Sequence, residues 1–220
     1  MKTSAWSREK QATWESGKGL LLCILVLSLL GGTAWLFFIK GLYVLPSKMC
    51  DDTLTRGTVT QVLPNARSAD HGSRARGVGD SLSFSCYVTT SNDSSLSGEA
   101  RVKPLAHVNW LKRYQASSER SRLVRVSVGD IEALFQIDSG TGTSSVYVPC
   151  EPPAVPEYNA SAPYAVVGEA RVDGSAKVMG RPLGQTLTDF AYRLARHAYK
   201  LAECKEPRSF PEALPRYEDD

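Results

Sequence analysis

The sequence predicts an α+β protein in which an N-terminal transmembrane helix precedes a largely antiparallel sheet packed against a long C-terminal helix. Three observations support this fold class. An uncharged apolar run covers residues 19–39, several segments between residues 80 and 175 alternate apolar and polar residues, and apolar residues recur at helical spacing over residues 187–204. These patterns are typical of a membrane span, of half-buried strands and of an amphipathic helix.

The apolar run at residues 19–39 has 21 residues and no charge. As a helix it is long enough to cross a hydrocarbon core of about 30 Å. A cleaved signal peptide is the alternative, but its apolar region should have about 7–15 residues and end at small residues. This run is longer and ends in bulky residues such as Trp35 and Phe38, so we favour a retained signal-anchor that binds the lipid bilayer.

Basic residues flank the run unevenly, because four precede it and only two follow it closely. The four are Lys2, Arg8, Lys10 and Lys18, and the two are Lys40 and Lys48. This bias predicts a single-pass protein of the plasma membrane with its N-terminus in the cytoplasm. The predicted segments are a cytoplasmic segment at 1–18, the span at 19–39, a stalk at 40–49, an extracytoplasmic disulfide-bonded domain at 50–206 and a flexible tail at 207–220.

Four cysteines follow the run: Cys50, Cys86, Cys150 and Cys204. An even number in an oxidising compartment indicates two disulfides. Spacing leaves three pairings open, and we favour 50 with 86 and 150 with 204 because each half of the domain then carries one bridge. The sequence contains no C-x-x-C motif, and its histidines are scattered at 71, 107 and 197, so we predict neither a metal site nor a cofactor.

The first half of the exported part contains two predicted helices and one hairpin. A helix is predicted at 51–63, where Pro64 ends it, and a polar loop at 65–79. Period-two alternation predicts a strand at 82–88, which a turn at 91–95 joins to a strand at 96–102. The apolar spacing after Pro104 is compatible with an amphipathic helix at 105–114.

The second half contains four predicted strands before the last helix. Gly129-Asp130 separates apolar segments at 123–128 and 131–137 and so predicts a hairpin. Further strands are predicted at 146–150 and 164–172, with a Pro-rich extended segment between them. The last helix spans 187–204, where Thr186 and Asp189 resemble a capping box. The pentapeptide GEARV occurs at both 98–102 and 168–172, so the domain could consist of two related halves, or the match could be accidental.

The segment FQIDSG at 135–140, followed by SSVYVP at 144–149, resembles the signature of aspartic proteases. That resemblance implies Asp138 as a catalytic residue. Such chemistry needs two aspartates that share one proton, so a single-lobe enzyme would have to form a homodimer. Residues 141–143 interrupt the pattern and no second Asp-Ser/Thr-Gly exists, so a Gly/Ser/Thr turn between two strands is the favoured alternative.

No other catalytic arrangement is evident in the sequence. It contains no G-x-S-x-G elbow, and nothing local orients a histidine toward a serine. We predict that His71 is solvated in a loop, that His107 packs or lies on the surface of a helix, and that His197 is a structural histidine beside the apolar face of the last helix.

The charge distribution excludes one class of partner and indicates another. Five of the 26 Lys+Arg and two of the 23 Asp+Glu lie at or before residue 40, which leaves 21 of each. A neutral domain lacks the basic surface typical of nucleic-acid binding. A local basic group could still bind an anionic envelope polymer or a lipid surface, or it could be a solvated face. Its members are Arg101, Lys103, Lys112, Arg113, Arg120, Arg122 and Arg125.

The apolar run, the strands FSC at 84–86 and VPC at 148–150, and a last helix ending in AEC resemble a group of uncharacterised actinobacterial envelope proteins. That group is predicted to be single-pass and membrane-anchored, with paired cysteines. The excess of Arg over Lys after residue 40, 15 to 6, suits such a source. The resemblance implies no activity, so we expect a non-enzymatic binding or envelope-associated module of unknown ligand, with the aspartic peptidase as the alternative.

Overall fold

The computed structural model describes residues 21–33, 41–116, 122–137, 142–155 and 161–217. The chain divides into two units, residues 1–40 and 41–220. In the first unit, helix α1 covers residues 21–33. Within the described ranges, none of the helices has both the length and the apolar composition needed to cross a membrane. Both ends of the expected span at 19–39 lie outside the described residues, and the span stays a prediction.

The second unit is built on a seven-stranded antiparallel sheet, which confirms the predicted α+β class. Its strands are β3 (Ala69–Arg76), β4 (Ser83–Thr90), β5 (Ser95–Pro104), β6 (Arg122–Val128), β7 (Ile131–Ile137), β8 (Gly142–Pro149) and β9 (Tyr164–Asp173). Their order across the sheet is β3-β4-β5-β9-β8-β7-β6, so β3 and β6 are the two edges. Both predicted hairpins, β4–β5 and β6–β7, are present.

Strand β3 contradicts the prediction of a loop at 65–79. It pairs with β4 along its whole length, from Ala69 opposite Thr90 to Arg76 opposite Ser83. Its side chains are exposed or only partly buried, because it is an edge strand that the helices do not cover. A strand without a buried face has no apolar alternation, and period-two analysis therefore cannot detect it.

Helix α4 (Gly180–Leu201) covers one face of the sheet, which we call the helix face. Its fully buried residues, among them Leu187, Phe190 and Leu194, pack on inward residues of the central strands such as Val146 and Val166. The helix begins earlier than predicted, at Gly180 after Met179. Thr186 is therefore inside the helix, where its hydroxyl donates to the Pro182 carbonyl, and the predicted capping box is wrong.

Helix α3 (His107–Ala116) packs on the opposite face of the sheet. The Trp110 indole N–H donates to Ser145 Oγ at 3.0 Å, and Tyr147 donates to the Leu105 carbonyl at 3.0 Å. The aromatic rings of Trp110 and Tyr147 lie 5.3 Å apart in a small second core. Since α3 has only about three turns, it covers β7, β8 and the first half of β9 on this face, and Leu123 of β6 packs at its margin.

Residues 40–49 were predicted to be a stalk, but most of them belong to the folded domain. A 3-10 turn at Gly41–Val44 and the following Leu45 place Leu42 and Leu45 in the core at 1% and 3% exposure. Strands β1 (Lys48–Met49) and β2 (Leu54–Thr55) form a small hairpin, and α2 (Arg56–Val62) follows. The predicted helix at 51–63 is thus shorter, because residues 50–52 form the hairpin turn with positive φ.

The structure contains the disulfides Cys50–Cys86 and Cys150–Cys204, the pairing that the sequence analysis favours. The first joins the β1–β2 turn to β4, and the second joins the end of β8 to the segment after α4. That segment differs from the predicted flexible tail, because Leu214 and Tyr217 are buried. The backbone N–H of Tyr217 also donates to Gln185 on α4 at 3.0 Å.

The two GEARV segments lie next to each other in the centre of the sheet. They occupy β5 and β9, which pair antiparallel with Glu99 opposite Glu169 and Gly98 opposite Ala170. The helices that follow these strands, however, pack on opposite faces of the sheet. The repeat is therefore local to the paired strands in the structure, and a relation between two half-domains stays a prediction.

Candidate functional site

The face opposite α4 is uncovered over β3, β4, β5 and the second half of β9, and we call this area the open face. The register places a continuous polar surface there. Its charged and larger polar members are Asp70, Arg74, Arg76, Ser85, Tyr87, Ser97, Glu99, Arg101, Lys103, Glu169, Arg171 and Asp173. A groove of about 350 Å³ runs across its middle, with Tyr87, Glu99, Glu169 and Arg171 in its walls. In a two-layer domain, an uncovered polar sheet face of this kind is available to a ligand.

Two carboxylates lie at the centre of the open face. Glu99 and Glu169 are directly opposite on paired strands, an arrangement of like charges that destabilises a sheet. Each carboxylate has a compensating partner among the described residues: Arg101 forms an ion pair with Glu99 at 2.7 Å, and the Tyr114 hydroxyl donates to Glu169 at 2.8 Å. Burial and the nearby Glu169 charge raise the pKa of Tyr114 far above its usual range, so this phenol stays a donor.

Basic groups surround the two carboxylates. Arg171 pairs with Asp173 at 3.1 Å at the edge of the groove. Lys103 is half-buried, and this burial lowers its pKa although Glu169 opposes the change. A desolvated ammonium gains more than a solvated one from an incoming anion, because fewer of its water contacts remain to be replaced.

Tyr87 provides the aromatic part of the open face. A Cβ on Gly72, its partner on β3, would come within 2.7 Å of the Tyr87 hydroxyl oxygen. The tyrosine ring therefore lies across the glycine backbone, and 42% of its surface remains exposed. An aromatic ring supported in this way offers an apolar contact within a polar surface.

A buried carboxylate anchors the α3 side of the sheet. Glu132 on β7 has 6% side-chain exposure and accepts from Arg125 on β6, with an ion-pair distance of 2.6 Å. Its other contact is His107 Nε2 at 2.9 Å, at the start of α3. The His107 ring also lies 5.1 Å from Tyr147. The carboxylate thus joins β6, β7 and α3.

We predict that Glu132→Gln lowers the free energy of unfolding by about 1–3 kcal/mol, because an amide cannot accept charge-assisted hydrogen bonds from both partners. Urea denaturation of the purified full chain measures the change. Asp52→Asn is the matched control, since its ion pair with Lys48 has 65% and 64% side-chain exposure and should be worth under about 0.5 kcal/mol. Equal effects of the two substitutions would contradict a structural role for Glu132.

The structure divides the predicted basic group into separate areas. Arg101 and Lys103 lie on β5, Lys112 and Arg113 on α3, and Arg122 and Arg125 on β6, while Arg120 lies outside the described residues. Three strands separate β5 from β6, which is roughly 19 Å at the usual strand spacing. The group is therefore not one patch. The open face instead combines Arg101 and Lys103 with Arg74, Arg76 and Arg171.

The other predicted site residues have different outcomes. Asp138 lies outside the described residues, and the peptidase stays a prediction. His71 is on the exposed edge strand β3 instead of in a loop. His197 packs at 4.5 Å from Phe84, and burial lowers its pKa against the effect of Asp51. No group of three or more His, Cys, Asp or Glu that could hold a metal occurs in the described parts of the chain.

No protein-family model matches the chain, and neither the curated proteins nor the solved structures contain a significant match. In the open face, the side chains offer ion pairs, hydroxyl groups and one aromatic ring. A histidine that activates a nucleophile needs a hydroxyl or thiol beside its ring. Among the described residues, His107 hydrogen-bonds only to the Glu132 carboxylate. The arrangement is suited to binding polar and charged groups.

Proposed function

We propose that this protein is a membrane-anchored, extracytoplasmic, non-enzymatic binding module that holds an anionic envelope polymer on its open face. The observation that carries the proposal is the uncovered half of the sheet. The same sheet is closed by α4 on its other face, whereas four strands here present charged and hydroxyl side chains to solvent.

The proposed location is supported by the disulfides and by the N-terminal sequence. Two disulfides within one small domain are typical of proteins exported to an oxidising compartment. The uncharged run at 19–39 with its cytoplasmic-type basic flank would provide the anchor. An actinobacterial plasma membrane is part of the proposal because of the resemblance described above.

The proposed ligand class is supported by the charge of the open face. Five basic residues lie on this face with the four acids Asp70, Glu99, Glu169 and Asp173, and among the described residues Arg101 and Arg171 are paired with Glu99 and Asp173. Arg74 and Arg76 are exposed on the edge strand and have no ion pair among the described residues. An extended polyanion could contact several of these groups at once, and such multiple contacts raise affinity.

We expect the triple variant Arg74→Gln, Arg76→Gln, Arg101→Gln to bind labelled polygalacturonate about tenfold more weakly than the parent, since three exposed charge contacts are worth about 0.5 kcal/mol each. Fluorescence anisotropy of the full chain in detergent measures binding, with neutral dextran as the ligand control. Arg193→Gln, Arg196→Gln, Lys200→Gln is the matched protein control, because it removes the same charge from the outer surface of α4.

Equal weakening by the two triple variants would show that only net charge attracts the polymer and would overturn the open face as the binding surface. The location is tested separately on whole cells. Protease should digest the large domain from the outside, and alkylation should find the four disulfide cysteines blocked. A domain that is accessible only from the cytosol, with free thiols, would refute the export and anchor proposals.

A further inference from the structure

Strand β6 is an edge of the sheet that the structure leaves ready for pairing. Four of its seven residues are Leu or Val, its charged residues are Arg122 at the end and Arg125 in the centre, and it contains no Pro, Gly or Lys. Natural edge strands are usually protected by such residues or by a covering element. Its one central charge, Arg125, forms an ion pair with Glu132 on the α3 side of the sheet and therefore does not block pairing at the edge. Among the described residues, β6 has β7 as its only strand partner.

The opposite edge differs in this respect. Strand β3 carries Asp70, His71, Arg74 and Arg76 together with a glycine, which is the composition of a protected edge. The Cys50 turn also approaches it, with Sγ 3.4 Å from the Gly72 carbonyl oxygen. The contrast between the two edges within one sheet indicates that the unprotected state of β6 is specific to that strand.

A groove of about 470 Å³ runs beside β6 on the helix face. Val124 and Val126 form its apolar floor. Its opposite wall is formed by the start of α4 and by residues 215–217. This wall is fixed, since the Tyr217 phenol is 2.7 Å from the Thr188 hydroxyl and its backbone N–H donates to Gln185. A preformed wall reduces the ordering cost of a binding partner.

The charged side chains that line this groove are all basic among the described residues. Besides Arg125, which Glu132 holds on the other face of the sheet, they are Arg122, Arg181 and Arg216. Arg122 is exposed, and it projects on the same side as the two valines because it alternates with them along the strand. An extended peptide that pairs with β6 would place every second side chain over this groove. An acidic residue at those positions would meet the arginines.

We propose that β6 and its groove bind an extended acidic segment of a partner protein by β-augmentation, as an eighth strand of the sheet. Backbone hydrogen bonds to the edge would supply affinity, and the arginine rim would select acidic residues at alternate positions. A peptide that matches the seven residues of β6 would lie along about 23 Å of edge. This surface is separate from the open face and needs no polymer ligand.

The test uses the full chain in detergent and a seven-residue peptide in which Glu alternates with Val. We expect saturable binding, and slower hydrogen exchange of β6 amides when the peptide is present. Arg122→Glu with Arg216→Glu should weaken binding at least tenfold. Arg193→Glu with Arg196→Glu, the same charge change on the outer surface of α4, should leave the affinity within twofold.

A second peptide has the same side chains but carries N-methyl groups on alternate backbone amides. It should not bind, because it cannot pair with the edge. Equal binding of the methylated peptide would overturn the proposal in favour of simple ion exchange. Exchange protection at β3 in place of β6, or no binding by the unmodified peptide, would also overturn it. Protection of β6 in the free protein that disappears on dilution would assign the edge to a second copy of the chain.

Discussion

Replacing Cys150 and Cys204 together by serine should lower the free energy of unfolding by about 4 kcal/mol, because the bridge closes a long loop in the unfolded chain. The bridged residues are 54 apart in sequence, and the bridge joins the end of β8 to the segment after α4. The same junction contains a hydrogen bond from the Lys205 N–H to the Glu151 carbonyl at 2.8 Å. Losing the bridge should therefore loosen the end of α4.

The Cys50–Cys86 bridge is expected to contribute less, about 2–3 kcal/mol. It closes a shorter loop of 36 residues. It also holds the turn at Cys50, Asp51 and Asp52, whose φ values of 53°, 54° and 64° lie in the left-handed region. Non-glycine residues in that region cost about 1–2 kcal/mol each, and relaxation of the turn would offset part of the loss.

Urea denaturation of the two double-serine variants measures both effects, and circular dichroism checks that each variant folds. Cys23→Ser is the control, since Cys23 is exposed and forms no disulfide. A loss below about 1 kcal/mol for the Cys150–Cys204 pair would contradict the loop-closure argument. A larger loss for the Cys50–Cys86 pair would contradict the expected relaxation of the turn.

The sequence predicts well those elements that have one buried and one exposed face. Strand β4 alternates buried and exposed residues along its whole length, and α4 buries a continuous stripe. Such patterns follow directly from burial, so periodicity detects them. The disulfide pairing followed from assigning one bridge to each half of the domain.

Two kinds of element escaped prediction. Strand β3 has no buried face, and the first part of β8 consists of small and hydroxyl residues that are typical of turns. Ser144 and Ser145 are nevertheless fully buried, because one lies 2.6 Å from Thr188 on α4 and the other accepts from Trp110 on α3. Tertiary contacts on both faces of the sheet satisfy these hydroxyls, and no local pattern reports such contacts.

The candidate surfaces were harder to predict because each depends on strand order. Arg74, Arg101 and Arg171 come from three strands whose adjacency is set by the sheet topology. Glu132 was the one detectable signal, since a single acid within the apolar strand IEALFQI needs a buried partner. Its partners Arg125 and His107 are 7 and 25 residues away in sequence, and only the fold brings them together.

Gly168→Ala is expected to lower the free energy of unfolding by about 3 kcal/mol, because the added methyl group meets backbone atoms. Gly168 lies at the centre of β9 under α4, where a Cβ would be 2.4 Å from the Ala191 carbonyl oxygen and 3.1 Å from Ala195 Cβ. A helix carbonyl cannot rotate away as a side chain can. The whole of α4 would have to shift from the sheet, which loosens the packing around Phe190 and Leu194.

Two other glycines separate this steric effect from the general effect of alanine. At Gly98 the nearest atoms to a Cβ are the side-chain ends of Leu194 and Phe190, which can rearrange, and the Glu169 carbonyl oxygen lies further away at 3.1 Å, so Gly98→Ala should cost only about 1 kcal/mol. Gly57 is exposed in α2 with its nearest atom at 3.7 Å, so Gly57→Ala should stabilise the protein by about 0.5–1 kcal/mol. Urea denaturation should therefore give the highest free energy of unfolding for Gly57→Ala, a lower value for Gly98→Ala and the lowest for Gly168→Ala. A Gly168 variant as stable as the Gly98 variant would mean that α4 does not rest on the β9 backbone, and the division into a closed helix face and an open face would lose its physical basis.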